Sequence, residues 1–123
     1  MNLNDVLELH SVLIKKFGGT EGLRDEGLLL SALNRPFATF GGEDLYPDAV
    51  DKAAAIFESV ILNHPFSDGT KRTGYVLMRL VLMDSGYDIT ASHNEKYDFV
   101  ISATKGEHNI ESIKEWIRNH LIP

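Results

Sequence analysis

Residues 48–86, DAVDKAAAIFESVILNHPFSDGTKRTGYVLMRLVLMDSG, contain two apolar helical patterns joined by a polar segment. In the first pattern, apolar residues recur every three or four positions over residues 50–61, and Asp48 is suited to cap the helix. The second pattern predicts a helix over residues 71–85, ended by the glycine that follows. We therefore expect two central helices with a polar connection at residues 64–73.

Four further helical segments are predicted on either side of this pair. Their proposed caps are Asp25, Ser92 with Glu95, and Asn109. Residues 86–90 could form a short extended piece. The sequence thus predicts a single all-α domain over residues 1–123, a compact bundle of about six helices with little or no strand. The apolar faces of the four flanking helices comprise Val6, Leu9, Leu13 and Phe17; Leu28, Leu29, Ala32 and Leu33; Phe99, Val100 and Ala103; and Ile110, Ile113, Trp116, Ile117 and Leu121.

Composition limits the possible functions. The chain has 123 residues, a formal charge of −6 and no cysteine, so disulfides, thiolate metal sites and cysteine nucleophiles are excluded. The acidic balance disfavours direct binding to nucleic acid, which usually recruits a basic face. No apolar stretch approaches the roughly 20 residues that cross a bilayer. We expect a soluble, cytoplasmic protein with no membrane contact.

Residues 37–47, FATFGGEDLYP, form a predicted loop that is rich in aromatic and apolar side chains. Two interpretations are open: the rings fold back onto the core, or the loop is a flap that docks a partner. The residues alone favour the first interpretation, because large apolar side chains are usually buried.

The connection His64-Pro65-Phe66-Ser67-Asp68-Gly69-Thr70-Lys71-Arg72-Thr73 carries the chemistry. Gly69 permits a tight turn, and the amides after it open a helix whose N-terminus favours an anion. Lys71 and Arg72 add cations where the helix itself would prefer acidic residues, which points to a bound polyphosphate. Asp68 is a hard oxygen donor suited to Mg²⁺. His64 can accept a proton from an attacking hydroxyl.

This segment resembles the HxFx(D/E)GN(G/K)R motif of the Fic/Doc superfamily, and its lysine followed by arginine and threonine resembles the Doc (death-on-curing) branch. The resemblance covers nearly the whole chain. It extends to GGTEGLRDEGLLLSALNRP (18–36), GGEDLYPD (41–48) and SATKGEHNIESIKEWIRNH (102–120).

The resemblance implies an all-α toxin that transfers the γ-phosphate of ATP to a hydroxyl of elongation factor Tu and pairs with a Phd-like antitoxin. By position, His64 is the general base and Asp68 holds Mg²⁺, while Lys71 and Arg72 act on the phosphates. The implied nucleotide-binding set is Phe66, Gly69, Thr70, Lys71 and Arg72. Lys71 replaces the glycine of the Fic branch and implies a reversed nucleotide. Residues 37–47 fall where the family has its target-docking flap, which favours the docking interpretation.

Two departures keep other interpretations open. Thr70 stands where the motif has asparagine, and loss of one preorganised donor can cost about 3 kcal/mol of transition-state stabilisation. A catalytically weakened module that binds nucleotide or antitoxin is therefore the alternative. Tyr75 stands in place of the second arginine of the Fic pattern, which makes AMP transfer the weaker interpretation. Whether Arg24, Arg35 or Arg79 reaches the site is left open.

Overall fold

The computed structural model describes the chain from Met1 to Pro123 and contains six α-helices. They span Leu3–Phe17 (α1), Glu26–Asn34 (α2), Ala49–Asn63 (α3), Thr70–Asp84 (α4), His93–Thr104 (α5) and Ile110–His120 (α6). A 3₁₀ turn at Arg35–Phe37 follows α2, as expected from the proline at position 36. The prediction of an all-α bundle of about six helices is confirmed. None of the helices is long and apolar enough to cross a membrane.

Strand structure is limited to two short antiparallel pairs. The first is a hairpin, Thr39–Phe40 (β1) with Glu43–Asp44 (β2), whose turn glycines have φ values of +61° and +82°. The second pairs Asp88–Ile89 (β3) with Leu121–Ile122 (β4), which ties the end of the chain to the segment after α4. The predicted extended piece after residue 86 is therefore confirmed, and its partner strand was not foreseen.

Helices α3 and α4 form the centre of the bundle and pack closely on each other. Gly74 lies at their contact, where a Cβ would be 3.3 Å from Val60 Cγ1. The core divides into two clusters that share these two helices. One joins them to α5 and α6 through Phe57, Met78, Leu82, Phe99, Ile113 and Ile117; the other joins them to α1 and α2 through Val6, Leu29, Leu33, Ile56, Phe66 and Leu77.

The predicted buried face of α1 is only partly correct. Its buried residues are Val6, His10 and Ile14, whereas Phe17 is 53% exposed. The spacing of apolar residues does not show which of two neighbouring faces of a helix is buried when one of these faces contains a polar residue. Here the polar residue, His10, is buried because it finds a ring to stack on and a carbonyl to bind.

Of the two interpretations left open for residues 37–47, the structure contradicts the one in which Phe37 and Phe40 fold back onto the core. Phe37, Phe40 and Leu45 are 58%, 80% and 53% exposed. The hairpin is held at its base instead, where Arg35 donates from Nε to Tyr46 Oη at 3.0 Å and from Nη1 to Ser59 Oγ at 2.9 Å. Arg35 thus supports the hairpin and is not a site residue.

Candidate active site

His64 lies at the point where α3 ends. Its backbone is left-handed, with φ +46° and ψ 60°, and its N–H donates to the Val60 carbonyl at 3.0 Å. Arg24 donates from Nε to the His64 carbonyl at 2.8 Å and from Nη2 to the Asn63 carbonyl at 2.9 Å. A guanidinium at the carboxyl end of a helix is electrostatically favourable. Arg24 therefore positions the backbone that carries the imidazole, and does so without entering the site.

A short backbone pairing fixes the next three residues. Segment 22–25 runs antiparallel to residues 65–67, with a bridge between Leu23 and Phe66. The Ser67 N–H donates to the Gly22 carbonyl at 3.1 Å, and the Arg24 N–H donates to the Pro65 carbonyl at 2.7 Å. The loop that carries the motif is thus anchored to the segment between α1 and α2.

Phe66 is fully buried and stacks on His10, with ring centroids 3.8 Å apart and an interplanar angle of 6°. The ring therefore anchors the motif loop to α1. The implied contact of this ring with a nucleotide stays a prediction, and in the free protein no part of the ring reaches the surface. Thr70 is also buried, and its hydroxyl lies 3.5 Å from the Phe66 carbonyl, so its side chain is turned into the loop.

Asp68 presents its carboxylate at the surface with both oxygens already held by backbone amides. Oδ2 accepts from the Thr20 N–H at 3.1 Å, and Oδ1 accepts from the Gly69 N–H at 2.9 Å. These two N–H groups, with the nearby positive charge of Arg72, hold the pKa of the Asp68 carboxyl below its usual range. The carboxylate is therefore ionised at neutral pH and oriented.

Asp68 offers a divalent cation such as Mg²⁺ a single oriented carboxylate. No group of three or more His, Cys, Asp or Glu side chains gathers anywhere in the chain. A protein-only metal cage is thus absent, whereas Mg²⁺ commonly uses one or two carboxylates and takes its other ligands from phosphate and water. Asp68 is the residue that would hold it.

The N-terminus of α4 faces the same space. Gly69 caps it with φ +75° and no side-chain hydrogen bond, so the amides of the first turn have no partner from a cap. Lys71 and Arg72 are exposed and form no ion pair within the chain. The Arg72 guanidinium lies over the Phe17 ring, 4.3 Å from its centroid. Two cations without an ion pair and amides without a capping partner thus lie at one helix end, which is an arrangement suited to phosphate.

These groups line a groove of about 740 Å³ between α1, α4 and α5, which we call the cationic groove. It brings together His64, Asp68, Gly69, Thr70, Lys71 and Arg72 of the motif. The opposite wall comes from α5 and was missed by the sequence analysis, because nothing local indicates which face of α5 borders the site. That wall consists of His93, Lys96, Tyr97, Val100 and Ile101.

Arg79 also lines the cationic groove, but its charge is already paired. Its Nε and Nη2 donate to the two carboxylate oxygens of Asp88, each at 2.9 Å. This bidentate bond is the main cause that lowers the pKa of Asp88 and raises that of Arg79. Among the three arginines left open above, only Arg79 borders the groove, and it does so as half of an ion pair.

Comparison with known proteins identifies the family of the chain. The model of the Fic/DOC family matches residues 1–82, which include α1 to α3 and most of α4. The chain belongs to the Fic/DOC family. It is 41% identical over 91 residues to "Toxin Doc" of Mycolicibacterium smegmatis, covering 74% of this chain and 68% of that protein. It is 26% identical over 114 residues to "Protein kinase doc" of Escherichia phage P1, covering 93% of this chain and 89% of that protein.

Proposed function

We propose that this Fic/DOC protein is a Doc-like toxin of a toxin–antitoxin pair, acting in the cytoplasm as a protein kinase that uses ATP and Mg²⁺. The observation that carries the proposal is the convergence of His64, Asp68, Lys71 and Arg72 in the cationic groove. The names of the two relatives, a Doc toxin and a Doc protein kinase, support it.

In the proposed reaction a hydroxyl oxygen of the target attacks the γ-phosphorus of ATP. The bond from that phosphorus to the bridging oxygen breaks, and ADP leaves with the bond's electron pair. His64 accepts the hydroxyl proton, since its imidazole is exposed in the groove and carries no hydrogen bond to another side chain. Lys71, Arg72 and the first-turn amides of α4 stabilise the charge on the phosphates. Bound Mg²⁺ would neutralise phosphate charge beside Asp68.

We propose that Lys71 determines whether phosphate or AMP is transferred. It stands where the Fic branch of the family has glycine, and its side chain borders the groove. A lysine there fills part of the anion pocket, so the nucleotide is held in the reversed sense with its terminal phosphate toward His64. AMP transfer would need the α-phosphorus at that place.

The exposed hairpin is the proposed docking surface for the target protein. Phe37, Phe40 and Leu45 present apolar surface to solvent, although the hairpin base is fixed through Arg35. Exposed aromatic side chains on a rigid support are typical anchors of protein–protein contacts. We propose elongation factor Tu as the target, and a Phd-like antitoxin that lays a helix or extended tail in a surface groove of the bundle.

The experiment that tests the function uses purified protein, elongation factor Tu, Mg²⁺ and ATP labelled in separate reactions at the α or the γ position. We expect label from γ-labelled ATP on the target and none from α-labelled ATP. Omission of Mg²⁺ should remove the transfer, and so should His64→Ala. Label from the α position would show AMP transfer instead, and transfer at full rate by His64→Ala would contradict the mechanism.

A second candidate, a weakened module that binds nucleotide or antitoxin without turnover, is favoured by one observation. The Thr70 hydroxyl is buried and turned toward the Phe66 carbonyl, so it offers no donor to the groove. In the kinase interpretation the Thr70 backbone N–H acts on phosphate and the side chain only closes the loop.

Thr70→Asn separates the two candidates. If Thr70 only closes the loop, we expect the transfer rate of the asparagine variant to stay within about tenfold of the natural rate. A gain of about 10²–10³-fold, the size of one preorganised donor, would show that the natural protein is catalytically weakened. Thr70→Ser is the matched control, since it keeps the hydroxyl and adds no new donor.

A further inference from the structure

The Asp68–Gly69 peptide is held from α1, by a residue that the reaction scheme above does not use. His10 is 4% exposed, lies 58 residues away in sequence, and its Nε2 is 2.7 Å from the Asp68 carbonyl oxygen. A carbonyl oxygen can only accept, so Nε2 carries the hydrogen and donates it. His10 is therefore hydrogen-bonded to the backbone of Asp68, while its ring stacks on Phe66.

The geometry of a single peptide bond links this contact to the carboxylate. A peptide unit is planar, so fixing the direction of the Asp68 C=O also fixes the direction of the Gly69 N–H. That N–H donates to Asp68 Oδ1 at 2.9 Å. The orientation of the Asp68 side chain thus follows from where His10 holds the carbonyl.

The loop after α1 supplies a second hydrogen bond to the Asp68 carboxylate. The Thr20 N–H holds the other carboxylate oxygen, Oδ2, at 3.1 Å. The loop can come this close only because residue 19 is glycine, with φ +122° and a position where a Cβ would lie 2.7 Å from Oδ2. Two amides use about half of the four lone-pair positions of a carboxylate, which leaves the rest for a cation.

We propose that His10 is a positioning residue for the proposed phosphotransfer: it sets the plane of the Asp68–Gly69 peptide, and thereby the carboxylate that receives Mg²⁺ and the start of the phosphate-binding turn of α4. The inference rests on the proposed function for its catalytic consequence, but the peptide orientation is a property of the free protein.

Two substitutions distinguish the contribution of the His10 ring, which stacks on Phe66, from the contribution of its hydrogen bond to the Asp68 carbonyl. His10→Phe keeps the stack on Phe66 and removes the hydrogen bond. His10→Gln loses the stack but places an amide nitrogen the same number of bonds from the backbone as Nε2, so it can donate to the same carbonyl. Ile113→Val, in the other core cluster, is the control for lost stability alone, because Ile113 is buried away from the motif loop.

The first measurement is the hydrogen exchange of the Gly69 amide by NMR, without ligand. We expect exchange at least fivefold faster in His10→Phe, and a rate near that of the natural protein in His10→Gln and Ile113→Val. The second is the Mg²⁺ concentration that gives half-maximal γ-phosphate transfer, together with kcat. We expect His10→Phe to need at least fivefold more Mg²⁺ and to lose at least tenfold in kcat, with substantial recovery in His10→Gln.

An unchanged Gly69 exchange rate in His10→Phe would overturn the proposal. So would a faster exchange rate with unchanged Mg²⁺ dependence and kcat, or equal losses in His10→Phe and Ile113→Val. If the natural protein transfers no phosphate at all, the proposed function fails, and the Gly69 exchange rates alone then decide whether His10 sets the peptide.

Discussion

Replacing His64 by glycine is expected to abolish phosphotransfer and at the same time to raise the free energy of unfolding by about 0.8 kcal/mol. The gain arises because a non-glycine residue in the left-handed region costs about 1–2 kcal/mol, from which the larger chain entropy of glycine subtracts about 0.4–1 kcal/mol. His64 adopts this conformation with φ +46° and is the one non-glycine residue with positive φ in the chain.

The loss of activity has a separate origin. Removal of a general base typically lowers the rate by about 10²–10⁴-fold. The bonds that Arg24 makes end on the carbonyls of residues 63 and 64, so they persist in the glycine variant. The loop should therefore keep its shape while the base is gone.

Denaturant unfolding and γ-label transfer measure the two effects, and His64→Ala is the matched control. Alanine also removes the imidazole but keeps the backbone strain, so it should be as inactive as the glycine variant without being stabilised. A glycine variant that is less stable than the alanine variant would show that the left-handed turn is not strained. Together the two variants test whether the strained conformation of His64, which places a base at the end of α3, lowers the stability of the protein.

Much of the fold could be predicted because its determinants are local. Asp25, Asp48, Ser92 and Asn109 each accept a hydrogen bond from the amide three residues on, as their sequence positions indicate. Gly69 and the start of α4 were likewise visible, since a turn glycine followed by helix-forming residues is a short-range signal.

The parts that sequence could not supply depend on contacts between distant segments. His10 meets Asp68 across 58 residues, and its polarity within an apolar stripe was the only local sign that it has a partner. The α5 wall of the cationic groove depends on how α5 packs against α4, which its own periodicity does not determine. The residues alone did not decide whether the aromatic side chains of residues 37–47 are buried, because a sequence shows that a ring is apolar but not that Arg35 holds the base of the hairpin.

Phe66→Ala is expected to lower the free energy of unfolding by about 3–5 kcal/mol, the cost of removing a buried phenyl ring and leaving a cavity. Phe66 is fully buried in the cluster that joins α1 and α2 to the central pair. Since whole domains are stable by about 5–15 kcal/mol, this single change removes a large share of the total. Urea unfolding, with comparison of midpoint and slope, is the measurement.

Phe66→Leu distinguishes two roles of the phenyl ring, anchoring of the loop and contact with the nucleotide. It keeps part of the buried volume but loses the stack on His10, so its cost should be smaller than that of Phe66→Ala. Because the phenyl ring has no exposed surface, the Kd for Mg²⁺–ATP should stay within about twofold after this change. A tenfold loss of nucleotide affinity with little loss of stability would instead place the ring against the nucleotide, and would mean that the loop opens to bind it. If the Kd for Mg²⁺–ATP is unchanged and the free energy of unfolding is lower, Phe66 holds the loop from beneath the cationic groove, together with its stacking partner His10, and does not line the groove.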